Sequence, residues 1–240
     1  VGLDVPRWSG HLVRSKNNGK TWSKSEALPE GFLGPIKNKP VYVGNRMICP
    51  SSTEGEQGCR VHFEISDDKG KTWKMVGPIA ASEVHETDKV KKSGDRSTVQ
   101  SIQPSILIHK DGRLQILCRT QNNGALATAW STDNGDSWTP LELTELPNNN
   151  SGTDAIGLKD GRYLLVYNHY RYLPDGGMNK NRTPINIALS DDGIHWDASV
   201  ILEDSPVNQY SYPSVIQSKD GTIHVVYTWR RQRIKYVRLD

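Results

Sequence analysis

The sequence predicts an all-β protein built from an array of small antiparallel sheets. Three observations support this: a short turn signature occurs four times, Asp-Gly pairs separate alternating apolar runs, and no segment shows the apolar period of a helix. The four signatures begin at Ser15, Ser66, Ser131 and Ser190, so successive copies are 51, 65 and 59 residues apart. Such spacings are typical of a repeat with one small sheet per copy.

Each signature combines a Ser, an Asp or Asn two positions later, a Gly and a Trp, as in Ser66-Asp-Asp68-Lys-Gly70-Lys-Thr72-Trp73. At a hairpin tip, the Asp can accept hydrogen bonds from backbone N–H groups two residues on, and the Gly provides a positive φ. The Trp packs on a neighbouring strand. We interpret the signature as a structural turn, because a calcium loop would need more acidic positions and a closing Glu.

A second repeated element is a strand, a tight turn and another strand. Its turns are Gly44-Asn45, Asp111-Gly112, Asp160-Gly161 and Asp220-Gly221. Two hairpins per repeat give four strands, and the whole chain gives two, then four in each of three repeats, then three, or seventeen strands in all. Four-stranded units arrayed radially make a β-propeller, here a single domain over 1–240. The predicted blade pieces are 8–33, 38–81, 101–145, 152–204 and 211–239.

Seventeen strands close no ring of four-stranded blades. We therefore expect that an N-terminal segment of roughly a hundred residues, or a second chain, completes the ring, and we favour the segment. The net charge of +3, spread without a basic block, argues against nucleic-acid partners. No apolar run is long enough for a transmembrane helix, so we expect no membrane partner. Cys49 and Cys59 could pair if their strands adjoin, but buried free thiols, including Cys118, are favoured.

Together with the turn signatures, known as Asp boxes, three further segments resemble the sialidase superfamily, in particular its BNR-repeat sialidase-like branch. They are Gln103-Pro104-Ser105, Asn168-His169 and the terminal Tyr210-Ser-Tyr212-Pro-Ser-Val with Tyr227-Thr-Trp-Arg-Arg231. The resemblance implies a six-bladed propeller with about one and a half blades missing at the N-terminus of this chain. It also favours a secreted or periplasmic location and implies neither cofactor nor metal.

In that family, arginines clamp the substrate carboxylate, a Tyr activated by a Glu is the nucleophile, and an Asp is the acid/base. Arginine suits this task because its guanidinium binds a carboxylate with two parallel hydrogen bonds. The resemblance places clamp arginines at Arg119 and Arg182 and the nucleophile at Tyr212, with Tyr210 as the alternative. At the Glu position the sequence offers Ser101 or Gln103, and neither can act as a base at neutral pH.

Other residues of the predicted strand ends and loops could also carry chemistry. Glu54 and Asp154 are candidate acids or bases, and Asn168 and His169 candidate substrate contacts. His169 with Arg171 and a Tyr could abstract a proton from a uronic acid, the reaction of a polysaccharide lyase. The basic stretch Arg230-Arg-Gln-Arg233 leads into the last strand, and a surface corner explains it.

The sequence therefore supports three functions. The first is an exo-acting glycoside hydrolase that removes a terminal acidic sugar, sialic acid or a relative, from a glycan. The second is a lyase on uronic-acid glycans, and the third is a glycan-binding propeller without catalysis. If the first is correct, we expect Arg119, Arg182 and Tyr212 to converge on one central depression.

Overall fold

The computed structural model describes residues 8–55, 58–83, 98–121, 123–170, 182–207 and 209–240, which form seventeen strands in five antiparallel sheets. Within these ranges there is no helix, so none that could cross a membrane. The number and grouping of the strands agree with the prediction. Sheet 1 contains β1 (His11–Leu12) and β2 (Glu26–Ala27), and sheet 5 contains β15 (Tyr210–Gln217), β16 (Ile223–Trp229) and β17 (Arg233–Leu239).

The three sheets between them each have four strands that pair in chain order. Sheet 2 contains β3 (Val41–Val43), β4 (Arg46–Gly55), β5 (Gly58–Ser66) and β6 (Lys74–Val76). Sheet 3 contains β7 (Ser101–Ile108), β8 (Leu114–Thr120), β9 (Ala125–Ser131) and β10 (Glu142–Pro147). Sheet 4 contains β11 (Asp154–Gly157), β12 (Tyr163–Tyr167), β13 (Ile185–Ser190) and β14 (Asp197–Glu203).

Three apolar cores lie between consecutive sheets. Ile116 packs in the core between sheets 2 and 3, whereas its neighbour Leu117 packs in the core between sheets 3 and 4. Leu165 and Leu164 divide in the same way between the cores on either side of sheet 4. Because successive side chains of a strand point to opposite faces, a sheet covered on both faces needs a continuous apolar strand. The stacking of each sheet on the next gives a propeller-like array.

The meander connectivity sorts the turns onto two edges of the array. Asp-Gly turns and Asp boxes lie on one edge, called here the lower edge. The upper edge holds the turns between second and third strands and the connections between sheets. The first strands β7, β11 and β15 contact one another in chain order, so their upper ends are neighbours.

The Asp boxes are structural turns, as predicted. In the second box Ser66 Oγ accepts a hydrogen bond from Gly70 N (2.6 Å), and Trp73 Nε1 donates to Gly70 O (3.2 Å). Asp68 accepts from the backbone N–H groups three and four residues on, Lys71 and Thr72, rather than two residues on. Two residues is the spacing in the Asp-Gly turns, where Asp111 accepts from Arg113 N (3.0 Å). All three cysteines are buried free thiols, as the sequence favoured.

Candidate functional site

Tyr212, Arg119 and Arg182 meet at the upper edge. Tyr212 lies near the start of β15, Arg119 at the end of β8, and Arg182 in the segment before β13. The guanidinium carbon of Arg182 is 5.0 Å from the centroid of the Tyr212 ring. Arg119 also lies close enough to the phenol of Tyr212 to affect its acidity. The structure therefore brings together three residues that are far apart in the sequence.

The two arginines change the acidity of the phenol. Burial of Tyr212 raises its pKa, but the hydrogen bonds and positive charges of Arg182 and Arg119 outweigh burial, so the pKa is lowered from its usual value. The side chain stays 40% exposed and open to a ligand. Tyr212 is thus a phenol that is easier to ionise than a free tyrosine and can be reached from solvent.

Neutral acceptors orient Arg119. The residue is buried, its Nε donates to Asn150 Oδ1 (3.0 Å), and one Nη donates to Gln103 Oε1 (3.2 Å). Within the described ranges, no carboxylate forms an ion pair with Arg119 or Arg182. The positive charge of the pair is therefore available to an anionic ligand.

Backbone bulges direct two of these side chains. Gln103 and Tyr212 have φ values of 57° and 53°, each precedes a proline, and each lies where the pairing of its strand shifts register. A left-handed conformation is uncommon for residues other than glycine, and bulges of this kind re-aim side chains. In β7 and in β15, the bulge turns one side chain, Gln103 or Tyr212, towards the upper edge where the sheets meet.

Gly152 occupies the centre of the cluster. A Cβ atom added there would lie 3.0 Å from Lys37 Cε, 3.2 Å from Tyr212 Cδ1 and 3.3 Å from Gln103 Oε1. A side chain at this position would push its neighbours apart by a few tenths of an ångström, so the glycine allows the close approach. The same contacts establish that Lys37, Gln103 and Tyr212 surround a common point.

Lys37 forms the floor of the cluster. Its Nζ donates to Asn38 Oδ1 (2.8 Å), Thr153 O (2.7 Å) and Pro213 O (2.9 Å). These acceptors are neutral, and burial lowers the pKa of Lys37 to about 8 although Asp154 opposes the shift. The ammonium group thus joins the chain next to Tyr212 to the loop before β11.

Asp154 ties sheets together below the cluster. Its side chain is buried, pairs with Lys39, and accepts hydrogen bonds from Val215 N (2.8 Å) and Ser105 Oγ (3.4 Å). These partners come from sheets 5 and 3 and from the loop before sheet 2. The enclosed carboxylate has the environment of a structural group, whereas the sequence suggested an acid or base.

Two other sequence candidates are buried. Tyr210 packs fully in the core between sheets 4 and 5, because the bulge after it separates its orientation from that of Tyr212. This burial removes Tyr210 as an alternative nucleophile. Asn168 is also buried, and its Nδ2 donates to Pro184 O (2.9 Å) and Tyr210 O (3.0 Å), so it links backbones rather than facing a ligand.

The remaining candidates lie apart from the cluster or outside the described residues. His169 is exposed, and its Nδ1 forms a short hydrogen bond with the hydroxyl of Tyr167. Glu54 is exposed near the end of β4 and lines a separate depression with Trp8 and Phe32. Arg171 lies outside the described residues, as do residues 84–97. The described part of the chain contains no group of metal ligands.

Sequence reasoning missed Asn150 and Gly152 as parts of the cluster and gave Lys37 no contact with Tyr212. Lys37 lies far from Tyr212 in the sequence, so only the packing of sheets reveals their proximity. Gly152 lies at the position in its repeat that Gln103 and Tyr212 occupy in the neighbouring repeats. A glycine at that position was a signal that the sequence offered. Asn150 carried none beyond its position in a connection between sheets.

Comparison with known proteins places this geometry in a family. Residues 1–225 match the BNR repeat-like domain family. No curated protein sequence matches the chain. Among solved structures, the NanB sialidase of Streptococcus pneumoniae superposes with a TM-score of 0.67 and 20% sequence identity, covering 96% of this chain and 35% of that one.

Two further structures have the same fold. The intramolecular trans-sialidase of Ruminococcus gnavus gives a TM-score of 0.61 at 20% identity, covering 96% of this chain and 50% of that one. A protein of unknown function from Dyadobacter fermentans gives 0.61 at 21%, covering 90% and 58%. The chain thus spans only about a third to just over half of the length of these proteins. The Asp boxes, the stacked four-stranded sheets and the family match together show that this chain belongs to the BNR repeat-like domain family and has the fold of the sialidase-like superfamily.

Proposed function

We propose that this protein is an exo-acting glycoside hydrolase that removes a terminal acidic sugar, such as sialic acid, from glycans. The observation that carries the proposal is the convergence of Arg119 and Arg182 on Tyr212 at the upper edge. The sialidases and trans-sialidases among the structural neighbours support it.

In the proposed reaction the two guanidinium groups bind the carboxylate of the sugar. Bidentate hydrogen bonds fix its orientation, which puts the anomeric carbon near the Tyr212 hydroxyl. Tyr212 gives up its proton to solvent, which its lowered pKa favours, and its oxygen attacks that carbon while the bond to the leaving oxygen breaks. Water then attacks the same carbon, the bond to the Tyr212 oxygen breaks, and the sugar is released. The acid that protonates the leaving oxygen is expected in the part of the ring that this chain does not supply.

The test is hydrolysis of a fluorogenic sialoside by the full-length protein. Tyr212→Phe should lower kcat by at least about a thousandfold because the nucleophile is lost. Arg119→Lys should lower kcat/KM by about a hundredfold, since a lysine cannot form the two parallel bonds. Tyr42→Phe, at an exposed tyrosine of sheet 2, is the control and should behave as wild type. Full activity of Tyr212→Phe would refute the proposal.

Gln103 supports non-catalytic glycan binding as the second candidate. Its amide replaces the carboxylate that would activate Tyr212, and an amide takes no proton at neutral pH. For a lyase, His169 has a Tyr beside it, Tyr167, but Arg171, which would neutralise the uronate carboxylate, lies outside the described residues. Incubation with uronate polymers, followed at about 235 nm for an unsaturated product, tests the lyase. Saturable glycan binding without either reaction would indicate a binding protein.

We further propose that the complete propeller has six blades, of which an N-terminal segment or a second chain supplies the remainder, about one and a half. The exposed face of sheet 5 supports this, because Ile216, Val226, Ile234 and Tyr236 lie on it and are 37–76% exposed. Apolar side chains on a sheet face are normally covered. The 240-residue chain alone should therefore bind a hydrophobic dye or self-associate, whereas the full-length protein should do neither as a monomer.

A further inference from the structure

The turn between β16 and β17 has an unusual sequence for its shape. Gln232 N donates to Trp229 O (3.0 Å), and the two residues between them, Arg230 and Arg231, have φ values of 53° and 51°. Two successive positive φ angles are the geometry in which Asn and Gly are preferred. Left-handed conformations are uncommon for arginine, and strained backbone clusters at active sites, ligand clamps and switch regions.

The arginines of this turn lack compensating charge. The guanidinium carbons of Arg230 and Arg233 lie 4.3 Å and 5.3 Å from the Trp229 ring, and Arg231 donates to Gln209 Oε1. Arg230 Nε is buried without a hydrogen-bond partner among the described residues. Those residues also provide no carboxylate that pairs with any of the three. Three neighbouring positive charges held only by neutral groups favour an anion.

Arg113 shows what a purely structural arrangement looks like. Its guanidinium also lies over a tryptophan, Trp130 (4.8 Å), but it is paired with Asp111 (2.7 Å) on the lower edge. Cation–π contact with tryptophan therefore occurs in this fold with the charge neutralised. The arginines at the β16–β17 turn differ in lacking that acidic partner.

The turn lies beside the Arg119–Arg182–Tyr212 cluster. Tyr210 N donates to Arg182 O (2.9 Å) on one side of the start of β15, and Arg230 N donates to Gln209 O (2.7 Å) on the other. The backbones of Arg182 and Arg230 are therefore two inter-strand spacings apart, a distance of about 10 Å. A glycan held by its terminal sugar at Tyr212 could therefore place an acidic group of a neighbouring sugar at the turn.

We propose that Arg230, Arg231 and Arg233 form a second anion subsite, which binds a sulfate or carboxylate group on a sugar next to the terminal one. The preferred ligand is then a glycan with at least two acidic groups. The position of its terminal sugar rests on the proposed function, whereas the subsite rests on the turn itself. Sulfate esters and carboxylates both accept hydrogen bonds from guanidinium groups, so the probes must separate them.

The experiment measures binding of three tetrasaccharides to the full-length protein by calorimetry. Chondroitin sulfate carries sulfates and carboxylates, hyaluronan carries carboxylates only, and chitotetraose carries no acidic group. The acidic probes should bind more tightly than the neutral one, and added salt should weaken the binding of the acidic probes. The double variant Arg231→Gln/Arg233→Gln should lower the affinity for the acidic probes by about tenfold. Weakening for chondroitin sulfate alone would identify sulfate as the group, and equal weakening would identify carboxylate.

Arg113→Gln is the matched control and should leave all three affinities unchanged. The variant Arg231→Lys/Arg233→Lys, which keeps the charge, should retain most of the binding if the wild-type melting temperature is preserved. Arg119→Gln separates the two proposals. If Arg119→Gln still hydrolyses the fluorogenic sialoside like the wild type while the turn variant weakens the acidic probes, the subsite stands and the proposed function fails. Unchanged binding by the turn variant would overturn the subsite.

Discussion

Gln103 is the residue on which the catalytic potential of the cluster depends. Its Oε1 accepts from Arg119 and lies, with Tyr212, around the point where a Gly152 Cβ would be. A carboxylate there could take the proton of the phenol as Tyr212 attacks, whereas the amide can only accept a hydrogen bond.

Gln103→Glu should therefore increase sialoside hydrolysis by about a hundredfold or more, the range that general base catalysis contributes. Gln103→Ala removes the amide without supplying a base and should show no gain. Both variants are assayed as kcat on a fluorogenic sialoside. No gain with Glu, in a protein that folds and binds normally, would indicate that Tyr212 does not act as a nucleophile.

The burial of Lys37 predicts how the free energy of unfolding depends on pH. Its pKa is about 8 in the folded protein and 10.5 in a free lysine, so between those pH values the unfolded chain holds an extra proton. The cost of burying the charge is present in full below pH 8 and is relieved as the pH rises.

The free energy of unfolding of the wild type should thus rise between pH 8 and 10.5, relative to that of Lys37→Met, by up to roughly 3 kcal/mol. Urea denaturation of both proteins at pH 7, 9 and 10.5 measures this difference. The comparison isolates Lys37 because other titrating groups are shared by the two proteins. Parallel pH dependences would contradict the assigned burial of the ammonium.

At the scale of the element, the Asp box closes the third and fourth strands of each blade. In the third box Asp133 accepts from Ser131 Oγ (2.8 Å) and Ser137 N (2.9 Å). The hydrogen bonds from Ser137 are the main reason why the pKa of Asp133 is lowered to about 2. The first box uses Asn17, whose Oδ1 accepts from Thr21 N (2.9 Å) and whose Nδ2 donates to Thr21 Oγ1 (2.9 Å).

Asp133→Ala should lower the free energy of unfolding by about 1–2 kcal/mol at pH 7, because two or three hydrogen bonds are lost. Asp133→Asn should cost less, since Asn17 makes the equivalent contacts. Asp133 stabilises the fold above pH 3.8, and this contribution is lost as the pH falls towards 2, so the Asn variant should be less sensitive to acid. Urea denaturation at pH 7 and pH 3 tests both statements. Equal destabilisation by Ala and Asn would contradict the hydrogen-bond argument.

The strand pattern was predictable because its signals are local. Turn chemistry at Asp-Gly pairs and Asp boxes marks the first and third hairpins of sheets 3 and 4, and continuous apolar strands such as β8 indicate burial on both faces. The conformation of Tyr212 was not predictable, because alternation along a strand gives Tyr210 and Tyr212 the same orientation. Only the register shift at the following proline separates them, leaving Tyr210 in the core and Tyr212 in the cluster.

At the scale of the whole molecule, contacts between sheets decide what forms the site. The aromatic contact of Phe63 in sheet 2 with Trp138 in the box of sheet 3 (4.2 Å) joins two sheets at the lower edge. Lys37 joins the loop before sheet 2 to sheets 4 and 5 at the upper edge. These contacts link residues far apart in the sequence, which is why the cluster could be anticipated only in part.

Asp154 allows a test of how strongly the sheets depend on such links. Removing its charge by Asp154→Asn leaves Lys39 without its partner and weakens the bonds to Val215 and Ser105. Because Lys39 is 36% exposed, water screens the ammonium that is left unpaired, so the loss should be about 1–3 kcal/mol and the variant should melt below the wild type. The double variant Lys39→Met/Asp154→Asn should recover part of the loss, because no unpaired charge remains. A catalytic role would give the opposite pattern: normal unfolding by urea and a large fall in kcat.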